Sequence, residues 1–246
     1  MEKQTAVIIP ARYGSSRLQG KPLIEVGGKP IIQWVFEKAV QATLTDRVII
    51  ATDNEKIYET CLMFGAEAEM TLESHNSGSD RIAEVVERHP EIGYIVNLQG
   101  DEPMIDPENI DKVVRLVKDS DADVSTLVTE IKDMEEVDNP NLVKCVFDNN
   151  HNALYFSRSK IPFERNAGHS KFYGHIGIYG YKREALFAMT QANQTPLELS
   201  ESLEQLRVLQ MGMKIKVDFV ENKPIGIDTI EDLNNFKAKV MTNTTF

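Results

Sequence analysis

Apolar residues in this chain gather in short continuous runs that alternate with stretches of helical spacing. Ala6, Val7, Ile8 and Ile9 form the first run, and 48–51 and 94–98 repeat it. A continuous apolar run, without polar alternation, marks a strand covered on both faces, as in a parallel sheet. Ile31, Ile32, Val35, Phe36, Ala39 and Val40 recur at helical spacing and predict a helix over 31–42. A second helix stops near Gly65, and a short strand is expected at 67–70. A polar loop at 73–79 leads to a third helix carrying Ile82, Val85 and Val86. Pro107 opens a fourth helix over 107–118, at the turn where proline forfeits no hydrogen bond. Strand and helix in alternation predict an α/β fold with a mostly parallel central sheet flanked by helices.

The pattern changes after residue 122. Runs at 123–129, 143–147, 153–156 and 173–181 read as strands of more antiparallel style, with Asp148-Asn149-Asn150-His151-Asn152 as a turn. A helix over 199–211, a strand over 214–220 and a helix starting at Thr229 complete the pattern. Asp232, three positions on, supplies the partner of a capping box. With no internal repeat and no linker, the economical reading is one domain over 1–246 with a β-rich insertion at about 130–185.

Composition narrows the function classes. Hydrophobic residues at 41% and charged residues at 26% belong to a folded globular chain. Twenty-seven basic against 38 acidic residues leave a net charge of −11, which repels nucleic acid and anionic membranes. No apolar run approaches the ~18 residues of a membrane span, and the run 6–10 is too short for a signal-peptide core. Cys61 and Cys145, 84 positions apart and without a CxxC partner, read as buried thiols of a cytoplasmic protein.

Candidate chemistry sits where strands end. Arg12-Tyr13-Gly14-Ser15-Ser16-Arg17-Leu18-Gln19-Gly20-Lys21-Pro22 follows the first buried strand. Glycine and serine let backbone N–H groups approach an anion, and Arg12, Arg17 and Lys21 add three cations, a combination suited to a polyphosphate. Five residues separate Gly14 from Gly20, and Pro22 stands where a P-loop carries its hydroxyl, so the segment is not a P-loop. Asp101, in Gln99-Gly100-Asp101, ends another strand at the edge where open α/β sheets bind ligands. Asp228 precedes a helix and reads either as an N-cap or, together with Asp101, as a magnesium ligand. Arg158 follows an apolar strand. His175 alternates with small and apolar residues, and Glu204 and Gln205 lie between leucines. By pattern alone His175 reads equally as a satisfied polar position, and Glu204 and Gln205 read first as one polar edge of an amphipathic helix.

Taken together, the segments resemble the sugar nucleotidyltransferases. The opening Ile8-Ile9-Pro10-Ala11-Arg12-Tyr13-Gly14-Ser15-Ser16-Arg17 with Gly20-Lys21-Pro22-Leu23 is similar to theirs, and CMP-sialic acid synthetases share it. Four further segments narrow the resemblance to the branch activating 3-deoxy-manno-octulosonate (Kdo): Ser77-Gly78-Ser79-Asp80-Arg81, the stretch from Asn97 to Pro103, 153–158 and 203–206. The resemblance implies a Rossmann-like nucleotidyltransferase, a homodimer built through the β-rich insertion, and transfer of CMP from CTP to Kdo for lipopolysaccharide synthesis. By the same resemblance Arg12, Arg17 and Lys21 would hold the triphosphate. Ala11, Ser77, Gly78, Arg81 and Gln99 would shape the cytidine side. Asp101 and Asp228 would carry Mg²⁺, and Arg158, His175, Glu204 and Gln205 would line the sugar-acid pocket. Ser79 and Ile227 stand where other members often carry Thr and Val, positions remote from the chemistry. Another acid sugar, such as 8-amino-Kdo or a sialic-type acid, and a non-catalytic nucleotide binder are the alternative readings.

Overall fold

A computed structural model describes residues 3–14, 18–166, 168–221 and 224–243. The chain forms two compact units, 1–111 with 224–246, and 112–223.

The first unit opens with β1 (Gln4–Ala11), β2 (Glu25–Val26), β3 (Lys29–Pro30) and α1 (Ile31–Ala39). It continues through β4 (Arg47–Thr52), α2 (Glu55–Met63), β5 (Glu67–Met70), α3 (Gly78–Arg88) and β6 (Ile92–Asn97). Its sheet runs in the order β6-β1-β4-β5, and every pair is parallel. Ile8 pairs with Ile49 on one side and Asn97 on the other. Ala6, Val7, Ile8 and Ile9 are each fully buried, which is why the first apolar run shows no polar alternation. Local signals set the helix starts. Asn54 Oδ1 accepts from the N–H groups of Lys56 and Ile57 at the head of α2. Ser77 and Asp80 form a reciprocal capping box at the head of α3.

Helix α4 (Pro107–Asp119) carries the chain out of this unit. The second unit contains β7 (Val124–Glu130), α5 (Met134–Val137), β8 (Lys144–Phe147), β9 (Ala153–Ser157) and β10 (Tyr173–Lys182). After them come α6 (Arg183–Gln191), α7 (Pro196–Glu201), α8 (Gln205–Gln210) and β11 (Ile215–Phe219). Strand β10 is antiparallel to β7 and β8, and β9 is antiparallel to β8, as the turn-rich pattern implies. Strand β11 pairs with β7 in parallel. The chain then ends in α9 (Ile230–Asn243), back in the first unit.

Several elements depart from the sequence reading, the short β2, β3 and α5 among them. The helix expected over 199–211 is two helices, α7 and α8, because Ser202 adopts a left-handed backbone (φ 51°, ψ 50°). That turn lets Glu201 face Ser157 and Arg158, which a continuous helix would not permit. Helix α6, absent from the expectations, follows β10 directly, so its apolar positions merged with the strand's pattern.

Gly180 shows how closely the second unit is packed. Ser125 Oγ donates to the Val113 carbonyl at 2.7 Å, and a Cβ on Gly180 would collide with Ser125 Oγ and lie 2.8 Å from that carbonyl. Alanine normally strengthens a strand position relative to glycine. Here Gly180→Ala is expected to destabilise by about 2 kcal/mol, read from the urea midpoint, because a backbone carbonyl must move.

Candidate active site

The strands of the first unit end at one edge. That edge carries Ala11 at the end of β1 and Arg12 after it, Asp53 after β4, Thr71 after β5, and Gln99 to Asp101 after β6. A cavity of about 190 Å³ opens there, lined by Pro10, Ala11, Arg12, Ser77, Gly78, Arg81 and Gln99 together with His75 and Asn76. All five residues expected on the cytidine side therefore meet at one place, and exposed Arg12 stands with them. The start of α3 opens on the cavity, where N–H groups without helical partners favour electron-rich ligand atoms. Gln99 Nε2 donates to Asn97 Oδ1 at 3.0 Å, which fixes the plane of its amide. Arg17 lies outside the described residues.

Lys21 is set by local backbone geometry. Gly20 takes a left-handed conformation (φ 68°), its N–H bonds the Tyr13 carbonyl, and a Cβ there would press on the Tyr13 ring at 3.2 Å. This turn delivers Lys21 with its ammonium largely covered (13% exposed). Nζ donates to Asp101 Oδ2 and to the Ile227 carbonyl, both at 2.7 Å, and lies 3.6 Å from Asp228 Oδ1. The Ile227 N–H returns a bond to the Asp101 carbonyl at 2.8 Å. Residues 127 positions apart are thus held around one cation. Capping of α9 falls to Thr229, whose hydroxyl and backbone exchange bonds with Asp232, so Asp228 is not spent as a cap. The Asp101 and Asp228 side chains are 31% and 56% exposed. Two open carboxylates are the hard oxygen donors that Mg²⁺ accepts alongside substrate phosphates, so the residues present fit that ion.

The second unit holds the four residues expected for the sugar acid. The Glu201 carboxylate accepts from Ser157 Oγ at 2.6 Å and from the Arg158 N–H at 2.9 Å. Burial pushes Glu201 up, but these bonds and the Arg158 charge outweigh it and hold the carboxyl below its usual range. The Arg158 guanidinium donates to the carbonyls of Glu201 (2.7 Å), Pro140 (3.0 Å) and Ser202 (3.4 Å). Buried Lys144 donates to the Asn139 carbonyl at 3.1 Å and to that of Arg158 at 2.5 Å. Burial leaves this ammonium below its ordinary pKa, against the raising effect of the Asp138 and Glu201 charges. Lys144 and Glu201 were missed by sequence reasoning. The only signal was a lysine inside an apolar strand.

His175 lies against Phe156 and Tyr179, with ring centroids 5.1 and 5.3 Å away. Its Nε2 is 3.0 Å from Thr126 Oγ1, which also lies 2.7 Å from the carbonyl of Ile178 and 3.1 Å from that of Ile176. Glu204 stands 4.0 Å from Arg207 Nη2 just ahead of α8, and Gln205, the first residue of that helix, is buried. Both cysteines are buried. Desolvation raises the Cys61 thiol to about 12 and raises Cys145 as well, so neither is a nucleophile at neutral pH. No helix among the described residues is long and apolar enough to cross a membrane.

The family model for cytidylyltransferases matches residues 6–215. The chain belongs to the cytidylyltransferase family. A 3-deoxy-manno-octulosonate cytidylyltransferase from Fusobacterium nucleatum is 48% identical over 227 residues, spanning 92% of this chain and 92% of that protein. One from Thermodesulfovibrio yellowstonii is 48% identical over 242 residues, covering 93% and 95%. A solved CMP:2-keto-3-deoxy-manno-octonic acid synthetase, complexed with CTP, superposes with a TM-score of 0.94 at 40% identity, over 98% of this chain and all of that one. Such relatives bear out both the Rossmann-like nucleotidyltransferase fold and the resemblance on which the site residues were chosen.

Proposed function

We infer that this cytidylyltransferase transfers CMP from CTP to the anomeric 2-hydroxyl of Kdo, giving CMP-Kdo and pyrophosphate. The convergence of Lys21, Asp101 and Asp228 carries this reading, because a binder that performed no chemistry would have no need of paired carboxylates beside a cation. The sugar oxygen attacks the α-phosphorus as the bond to the bridging oxygen of pyrophosphate breaks. Such a transfer depends on alignment and charge neutralisation more than on covalent catalysis. Asp101 and Asp228 would hold Mg²⁺, whose charge would offset that of the α-phosphate and acidify the attacking hydroxyl. Lys21 keeps the two carboxylates together and, with Arg12, offsets charge on the triphosphate and leaving group.

On the second unit, Arg158 would take the carboxylate of the sugar acid, the geometry for which a guanidinium fork is suited. Its carbonyl partners fix the guanidinium in place before substrate arrives. His175, Glu204 and Gln205 would bind the sugar hydroxyls. Arg158→Ala is expected to raise the KM for Kdo at least tenfold more than the KM for CTP, since a charged hydrogen bond contributes about 1.5–3 kcal/mol. Equal effects on both constants would remove Arg158 from that role.

A homodimer in the cytoplasm completes the reading. Leu154, Leu199 and Phe163 expose 61%, 60% and 86% of their surface on the β-rich unit, as an association face would. Two unpaired buried thiols suit a reducing compartment. The deciding assay is pyrophosphate release from CTP with Mg²⁺ and Kdo, 8-amino-Kdo or sialic acid. Release with Kdo that stops without Mg²⁺ is expected. Release with another sugar alone would move the acceptor, and CTP binding without release would overturn catalysis.

A further inference from the structure

Arg81 reaches the cavity from α3 with its side chain only 4% exposed. Its two terminal nitrogens are held separately. Nη2 donates to Asp53 Oδ2 at 2.6 Å, and Nη1 bonds Thr71 Oγ1. Thr71 has its own anchor: its N–H and its hydroxyl both donate to the Thr52 carbonyl, at 2.8 and 3.1 Å. With its proton spent there, the Thr71 hydroxyl can only accept from Arg81. Asp53 and Thr71 follow the ends of neighbouring parallel strands, β4 and β5, so the spacing of the sheet sets the two grips. A planar guanidinium held at both ends has one orientation left.

Charge makes the second half of the case. An arginine lining a cavity attracts phosphate, and this cavity already has Arg12 at its rim. The Asp53 side chain, 13% exposed, cancels the Arg81 charge at 2.6 Å, where little water intervenes. What remains at that wall is a fixed, nearly neutral donor surface, suited to the carbonyl and ring-nitrogen acceptors of a nucleobase and poorly suited to a phosphate.

We propose that Asp53 and Thr71 are positioning residues for Arg81, and that Asp53 makes this wall of the cavity select an uncharged base over a phosphate. The proposal rests on reading the cavity as the nucleotide site. A base at the Arg81 wall with the triphosphate toward Arg12 and Lys21 is the arrangement the family resemblance already implies, and what is new is that Asp53 and Thr71 would enforce it.

The test is calorimetric titration of the full chain with CTP and with inorganic tripolyphosphate, which lacks base and ribose. Wild type is compared with Asp53→Asn, Thr71→Val, Thr71→Ser and Arg81→Ala. Asp53→Asn is expected to weaken CTP about tenfold, the scale of one charged hydrogen bond, while tripolyphosphate binds as well as before or better. Thr71→Val, nearly isosteric, is expected to weaken CTP at least threefold, and Thr71→Ser to restore it. Turnover at saturating CTP should stay within about threefold for these three variants, since the grip acts through Arg81 and not on the reacting atoms. Parallel loss of both ligands in Asp53→Asn, or CTP affinity unchanged in both Asp53→Asn and Thr71→Val, overturns the proposal. If Asp53→Asn does not fold, the Thr71 pair decides. If Arg81→Ala itself leaves CTP binding unchanged, the reading of the cavity fails, a result distinct from failure of the positioning role.

Discussion

Asp101→Asn is expected to reduce kcat for pyrophosphate release by about a thousandfold while leaving the thermal midpoint within a few degrees of wild type. Asparagine keeps the size of the side chain and one oxygen that can accept from Lys21 Nζ, so the 2.7 Å bond has a neutral substitute. Lost is the negative charge, and with it half of the carboxylate pair that suits a divalent cation. Lys21 Nζ keeps the Ile227 carbonyl at 2.7 Å and lies 3.6 Å from Asp228 Oδ1, so removing the Asp101 charge does not leave the ammonium without a partner. The Ile227 N–H still finds the Asp101 carbonyl, so the backbone junction that brings Asp228 to Lys21 survives. A wild-type kcat at saturating Mg²⁺ would sink the role assigned to Asp101. A large fall in thermal midpoint would recast the residue as structural.

The largest stability effect is expected in the second unit. Arg207 and Glu198 form a two-pronged pair, Nη2 to Oε1 at 2.5 Å and Nε to Oε2 at 2.8 Å, with side chains 7% and 5% exposed. Arg207 Nη1 also closes the turn after α6 by donating to the Met189 carbonyl, and Glu198 Oε2 accepts the Thr195 N–H at the head of α7. Glu198→Gln leaves a buried guanidinium without its counter-charge, and the expected loss is about 3–5 kcal/mol in urea at pH 7. The pair also ties down the segment bearing Glu201, Glu204 and Gln205, so the variant should lose affinity for the sugar acid as well.

The pH dependence of that pair has a definite sign. Burial raises the Glu198 pKa, but the bonds from Arg207 and Thr195 and the Arg207 charge prevail, so it falls below its ordinary 4.5. A carboxyl depressed by folding adds stability above its unfolded pKa and loses it as pH falls through its folded one. The gap between wild type and Glu198→Gln should be full at pH 7 and shrink below pH 4.5. A gap that stayed constant through acid would show that the charge of Glu198 contributes nothing. Replacing both residues together by well-packed apolar side chains is expected to cost far less than either single change.

Short-range physics explains what could be read without coordinates. Whether both faces of 6–9 are covered, where Pro107 can open a helix, and how Thr229 and Asp232 cap one are matters of a few adjacent residues, and all are realised. The position of Asp101 just past the end of β6 was legible for the same reason. Overreach came at 199–211. Apolar spacing continues through Ser202 while the backbone, left-handed at that residue, does not continue the helix.

By itself, then, the sequence determined the α/β class, most element positions and the family, and it supplied candidate site residues near strand ends. The tertiary structure alone decided which charges meet. Asp101 and Asp228 are 127 positions apart in sequence, and only the folded chain, with the Ile227 N–H on the Asp101 carbonyl, brings Asp228 to within 3.6 Å of Lys21 Nζ. Arg81 could be any helix cation until the parallel pairing of β4 and β5 put Asp53 and Thr71 at its two ends. Lys144 looked like an ordinary strand residue until it was buried among carbonyls beside Arg158. The reason is one of range. Apolar patterning and capping are written in neighbouring residues, whereas the electrostatics of a site depend on distances of a few ångströms between residues that only the folded chain brings together.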